Sequence, residues 1–142
     1  MPASIQLAPG AEDNGFASML ATHLRQNLDD HPDKVAVLER MLGRVALVVE
    51  DLRLAVTLRF DGGILTLHDG IAGIPDLTVR APSELLTKMS LIELRGPLGL
   101  PDPEGKVARE VFEASRRGEV VMHGWVQNLP LLLRLTRVMS VN

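Results

Sequence analysis

Residues 52–70 read LRLAVTLRFDGGILTLHDG. Leu54, Val56, Leu58 and Phe60 fall on every second position, and Arg53, Thr57 and Arg59 point the other way, which is the period of a strand with one buried face. Asp61-Gly62-Gly63 then interrupts the pattern, because glycines accept the positive φ that a tight hairpin turn demands. Ile64 to His68 returns as a second strand. An antiparallel hairpin therefore sits near the middle of the chain, and the rest can be read outward from it.

Upstream, Val45, Leu47 and Val49 share one face of a preceding strand. Before that the period is helical. Phe16, Met19, Leu20, His23, Leu24 and Leu28 form one stripe with Asp13 or Asn14 as N-cap. The run DDHPD breaks this helix and starts another at Pro32, whose stripe is Val35, Leu38, Met41 and Leu42 and whose expected stop is Gly43. Downstream, residues 69–75 form a Gly/Pro loop, Leu77 and Val79 mark a fourth strand, and Ser83 caps a short helix with Leu85, Leu86 and Met89 apolar. Residues 91–103 read as an irregular loop. A helix over residues 103–117 follows, with Asp102 as N-cap and Val107, Val111 and Phe112 as its stripe. Residues 119–123 give a fifth strand, and a last helix starts near Asn128 with Pro130 in its first turn.

Composition bounds the function. The chain has 142 residues, enough for a single domain with a real core, and is 46% hydrophobic. A net charge of −3, no Tyr, one Trp and three Phe leave neither a basic footprint nor a stacking platform, so nucleic acid is not an expected partner. The lack of cysteine excludes disulfides and cysteine–zinc sites and fits a reducing, cytoplasmic setting. Residues 1–12 have neither a basic segment nor an apolar run, so they read as a flexible lead and not a signal peptide. No run of about 18 apolar residues is present, so no spanning helix is expected.

Three pieces carry a family resemblance: the hairpin LRLAVTLRFDGGILTLHDG, then IPDLTVRAPSELLTKM, then GEVVMHG with the leucine-rich C-terminal helix. From Gly43 onward this order resembles the sterol carrier protein 2 family of lipid-binding domains. The resemblance implies an α+β domain: a five-stranded, mostly antiparallel sheet with helices over one face, enclosing an apolar cavity. It also implies a non-catalytic, cofactor-free module that binds sterols, fatty acids, acyl-coenzyme A, phospholipids or prenylated quinones. Two features depart from the family pattern. The segment 91–117 is an inserted loop and helix with no counterpart, and Trp125 stands where the family often has an acid.

The residues themselves support an apolar guest only in part, since a helix sandwiched in an ordinary core carries the same pattern and methionines commonly fill such cores. Leu129, Leu132, Leu133, Thr136 and Met139 form one stripe of the last helix, and Leu131, Leu135 and Val138 widen it, so this helix needs two apolar partners. Methionines 19, 41, 89, 122 and 139 fall at periodic apolar positions, where thioethers adapt to irregular shapes. The expected ligand contacts are Trp125, Leu129, Leu132, Leu133 and Met139, joined by Leu86, Met89 and Met122. Burying a long acyl chain at about 0.8 kcal/mol per methylene gives ample gross affinity, so such a site needs volume more than a motif.

Catalysis has little to work with. His68 and Asp69 are adjacent on a strand and point to opposite faces, and His23, His31 and His123 have no metal-ligand spacing. No catalytic residue and no metal site is expected. Arg109, Arg116, Arg117, Arg134 and Arg137 could meet an anionic head group or a membrane surface transiently. The competing reading is an interaction module whose apolar C-terminal helix makes a homodimer or binds a partner protein.

Overall fold

The structure, a computed structural model, describes residues 4–96 and 99–142. In chain order the elements are β1 (Ser4–Leu7), a single 3-10 turn (Ala11–Asp13), α1 (Gly15–Asp30), α2 (Asp33–Glu39), β2 (Leu42–Val49), β3 (Leu54–Asp61) and β4 (Ile64–Asp69). They continue with β5 (Leu77–Ala81), α3 (Ser83–Met89), β6 (Leu94–Arg95), β7 (Leu100–Pro101), α4 (Lys106–Arg116), β8 (Val121–His123) and α5 (Leu129–Met139).

The main sheet has six strands in the order β1-β4-β3-β2-β5-β8 and is mixed, not five-stranded and mostly antiparallel. Two features account for the difference. First, the expected flexible lead contains a strand: β1 pairs parallel with β4, placing Ile5 beside Leu65 and Leu7 beside Leu67 on the inner face. The Arg25 guanidinium of α1 also donates to the Ile5 carbonyl at 2.8 Å, which ties the segment down. Second, β5 pairs parallel with β2 because residues 70–76 carry the chain from β4 across the outer face of the sheet. Three strand spacings of about 4.8 Å are within reach of such a loop. Thr57 fixes the crossing, its hydroxyl donating to the Gly70 carbonyl at 2.8 Å and accepting from the Ala72 amide at 2.9 Å. That loop explains why an outward-facing threonine is fully buried.

The hairpin of β3 and β4 forms as its sequence requires. Gly62 and Gly63 both have positive φ, and Asp61 pairs with Ile64. Val56, Leu58 and Phe60 line up with Val45, Leu47, Leu65 and Leu67 on one buried face, and Leu77 and Val79 extend it into β5. The residue 119–123 strand joins the same sheet as β8, at the edge next to β5.

Local starts and stops differ more. Gly43 does not end a helix: α2 stops at Glu39, and Gly43 lies inside β2 with φ +122. A Cβ there would stand 2.6 Å from a carboxylate oxygen of Asp76, so the site tolerates no side chain. Asn14 caps α1, accepting the Ala17 amide. The short helix α3 is instead capped from a distance, with Asp51 accepting the Ser83 amide at 2.7 Å and its hydroxyl at 2.6 Å. Those two bonds, the hydroxyl first, hold the Asp51 carboxyl below the usual carboxylate range. Asp102 likewise does not cap α4. Glu93 does, accepting the Val107 amide at 3.1 Å and the Ala108 amide at 3.3 Å. Partial burial raises the Glu93 carboxyl, and the converging backbone N–H groups outweigh it, leaving the group below its ordinary value. The segment read as irregular loop holds the small β6–β7 pair, and Phe112, expected on the buried stripe of α4, is 63% exposed.

Candidate functional site

Where α1, α3 and α5 meet the inner face of the sheet they leave an apolar cavity of about 150 Å³. Its floor is Leu47 of β2 and Val79 of β5, neighbours in register. One wall is α1, through Phe16, Met19, Leu20 and His23. A second is α3 and the residue that follows it, through Leu86, Thr87, Met89 and Ser90. The third is α5, through Leu135, Thr136 and Met139. Met19 and Thr87 are exposed, so the mouth lies between α1 and α3.

Of the eight residues expected to contact a ligand, Leu86, Met89 and Met139 line this cavity. Met122 pairs with Val79 on the inner face of β8 and packs on the core without reaching the cavity, and Leu132 does the same from α5. Leu129 and Leu133 line a separate groove on the outer side of α5. Trp125 sits in the turn before α5, 44% exposed. The helix is rotated relative to the expected stripe, with Leu131, Leu135 and Val138 as its buried row. Leu47, Val79 and the α1 wall were not singled out as ligand contacts, although the α1 stripe and the strand alternation put all of them on buried faces.

The polar atoms near the cavity serve the backbone. Asn27 of α1 donates to the carbonyls of Val138, Met139 and Ser140 at 3.0, 2.9 and 3.1 Å. His23 Nε2 lies 2.8 Å from the Met139 carbonyl, which only accepts, so this nitrogen carries the proton. The buried ammonium of Lys34 in α2 also donates to the Ser140 carbonyl. Burial pushes the Lys34 pKa down and Arg137 adds to that effect, against the attraction of Asp33. Helix α5 thus ends in a polar clamp built by two other helices.

The remaining histidines are dispersed. His31 holds the Val141 carbonyl at 2.9 Å, and His123 lies exposed on the edge strand. His68 belongs to the outer sheet face opposite Thr57, where burial first, then Arg59 and Arg44, push its pKa below the usual value. Its sequence neighbour Asp69 faces away and accepts from the Asn14 side chain at 2.8 Å. Among the described residues no three His, Asp or Glu side chains converge as metal ligands would, and no helix is long and apolar enough to cross a membrane.

Two solved structures have a similar fold. One is described as "UbiJ-SCP2 Ubiquinone synthesis protein", with 18% identity over 91% of this chain and 98% of that one and a TM-score of 0.62. The other is the crystal structure of sterol carrier protein 2, with 16% identity over 87% of this chain and 92% of that one and a TM-score of 0.52. No family model matches the sequence, and neither does any curated protein sequence. The chain therefore has the sterol carrier protein 2-like fold over nearly its whole length.

Proposed function

We propose that this protein binds and carries a lipid-like molecule in the cavity between α1, α3 and α5, without catalysing a reaction. The observation that carries this reading is the cavity itself, an apolar space opening past exposed Met19 and Thr87 and lined by three methionines. The fold it shares with sterol carrier protein 2 supports the same reading. Suitable guests are a fatty acid, acyl-coenzyme A, a phospholipid, a sterol or a prenylated quinone. A space of about 150 Å³ takes a benzene-sized guest, whereas drug-sized ligands occupy roughly 300–1,000 Å³. A long chain must therefore widen the cavity, and Met19, Met89 and Met139 are the side chains that yield most cheaply. The lack of cysteine fits work in a reducing, cytoplasmic compartment.

The test has two arms. Organic extraction of the purified protein followed by mass spectrometry should release a lipid. Titration of the extracted protein with a fluorescent fatty acid should then saturate. Val79→Phe fills the floor of the cavity, so it should weaken that binding about tenfold at a stability cost of about 1–3 kcal/mol, checked by circular dichroism. His68→Ala, on the opposite sheet face, should leave binding within about twofold, since burial and contact there do not involve the cavity. Flat titrations with several lipid classes on ligand-free protein would remove the reading. Loss of a measured activity in folded His68→Ala would revive an enzymatic one.

A further inference from the structure

We infer that the outer side of α5 is a docking surface for an anionic phospholipid bilayer. The inference rests on the carrier reading for its purpose and on separate residues for its evidence. Leu129, Pro130 and Leu133 form an open apolar groove of about 340 Å³ with Val37 of α2. Leu129 is 42% exposed, and Trp125 and Val126 stand exposed just ahead of it in the chain. Arg40 and Arg134 border the same groove and meet across it, the Arg134 guanidinium donating to the Arg40 carbonyl at 3.4 Å.

Charge decides what covers this face. Neither Arg40 nor Arg134 has a carboxylate partner among the described residues. Glu39, next in sequence, is turned toward the Gly63 turn. Among the described residues that line the groove none is acidic, and the third arginine there, Arg137, lies 3.3 Å from Asp33. A protein of net charge −3 thus gathers uncompensated guanidinium groups beside exposed leucine, with an exposed tryptophan and valine in the turn that leads into the same helix. Aromatic and aliphatic side chains flanked by arginine match the boundary between head groups and acyl chains. Anionic lipid adds attraction for each arginine at its surface. A second copy of this chain would instead bring the same two arginines toward each other.

The test is co-sedimentation of the full chain with phosphatidylcholine vesicles, with and without phosphatidylglycerol. Binding should require phosphatidylglycerol, weaken with salt and shift Trp125 emission to the blue. Arg40→Gln with Arg134→Gln should cut vesicle affinity roughly 30-fold, the equivalent of about 2 kcal/mol. Both side chains are exposed, so the fold should be unaffected. Arg44→Gln with Arg59→Gln, on the outer face of the sheet, should leave vesicle binding within about twofold. Absence of vesicle binding, or an equal loss in both double variants, overturns the inference. A dimer that the Arg40/Arg134 variant dissociates also overturns it, because the face is then covered by a second copy. Fatty-acid binding to the cavity is measured in the same variants without vesicles. If it persists while vesicle docking fails, the docking inference falls alone, and if docking persists while the cavity stays empty, the carrier reading falls alone.

Discussion

The C-terminal end of α5 surrenders three consecutive carbonyls to side chains of α1 and α2, whereas its N-terminal end rests on half-exposed leucine and proline. At the first end Ser140 is fully buried, its hydroxyl donates to the Ile92 carbonyl at 2.7 Å, and the Val141 amide reaches Ser90 at 2.8 Å. At the second, Asn128 ties the chain to the carbonyls of Asp76 and Gly124 at 2.9 and 3.0 Å and caps no helical amide. A helix end leaves orphan carbonyls that cost free energy when buried, so the polar clamp, more than the leucines, sets where α5 lies. When a large guest widens the cavity, the N-terminal half of α5 is the half with least to lose. Amide hydrogen exchange should accordingly be slower at Val141 and Ser140 than through the first turns of α5.

The largest effect expected from breaking this asymmetry comes from Asn27. Asn27→Leu keeps the branched outline and removes the donor, so the buried Val138 carbonyl loses its side-chain partner and the Met139 and Ser140 carbonyls keep only His23 and Lys34. The cost should be about 2–3 kcal/mol, read as a lower urea midpoint at unchanged m. A midpoint equal to the parent's would mean that the clamp carries no stability.

Lys34 gives the next effect, and pH reveals it. Its folded pKa lies below the unfolded value, so the unfolded chain binds the extra proton between the two, and stability rises with pH through that window up to about 10.5. The slope from one such group is at most about 1.4 kcal/mol per pH unit. Denaturant midpoints of the wild type should climb over this alkaline window relative to Lys34→Met, in which the slope is gone. Parallel curves would show that the buried ammonium is not desolvated. At the other end of the helix Asn128→Ala should cost only about 0.5–1 kcal/mol by the same urea assay, since its amide lies closer to water. A loss as large as that of Asn27→Leu would erase the contrast between the ends.

This contrast also marks where sequence reading succeeds and stops. The sheet was legible because its signals are local: alternation in β2 and β3, two glycines between β3 and β4, and Asn14 before the α1 stripe. The site was half legible, because α5 is apolar around most of its circumference and so fits several stripes at once. Arg134 and Arg137 do not fix the phase. At about 100° per residue the direction opposite them falls between Met139 and Leu132, whereas the row turned inward is Leu131, Leu135 and Val138, so packing against the sheet and the other helices sets the rotation and the charge pattern does not. Other features depend on partners far away in the chain and leave no local trace. Asp51 capping α3, Glu93 capping α4 and Asn27 closing α5 are all of this kind. The parallel β1 escaped because four residues of SIQL carry too short a pattern to tell from a loop.

The smallest effect is expected from the residue that composition alone makes most conspicuous. Trp125 is the sole indole, and a place among the ligand contacts would make its emission a gauge of the cavity. Its position in the turn before α5, 44% exposed and away from the cavity walls, assigns it to the loosely held end instead. A half-exposed ring gives up little transfer free energy on truncation to a smaller aromatic, so Trp125→Phe should change stability by less than about 0.5 kcal/mol. Fatty-acid affinity in the same variant should stay within about twofold, because none of the cavity side chains is altered. In the parent protein, emission should stay flat as fatty acid fills the cavity and should move when vesicles containing phosphatidylglycerol are added. An emission change that saturates with fatty acid in the absence of vesicles would instead join the turn to the cavity, and with it the two ends of α5 that the polar clamp keeps apart.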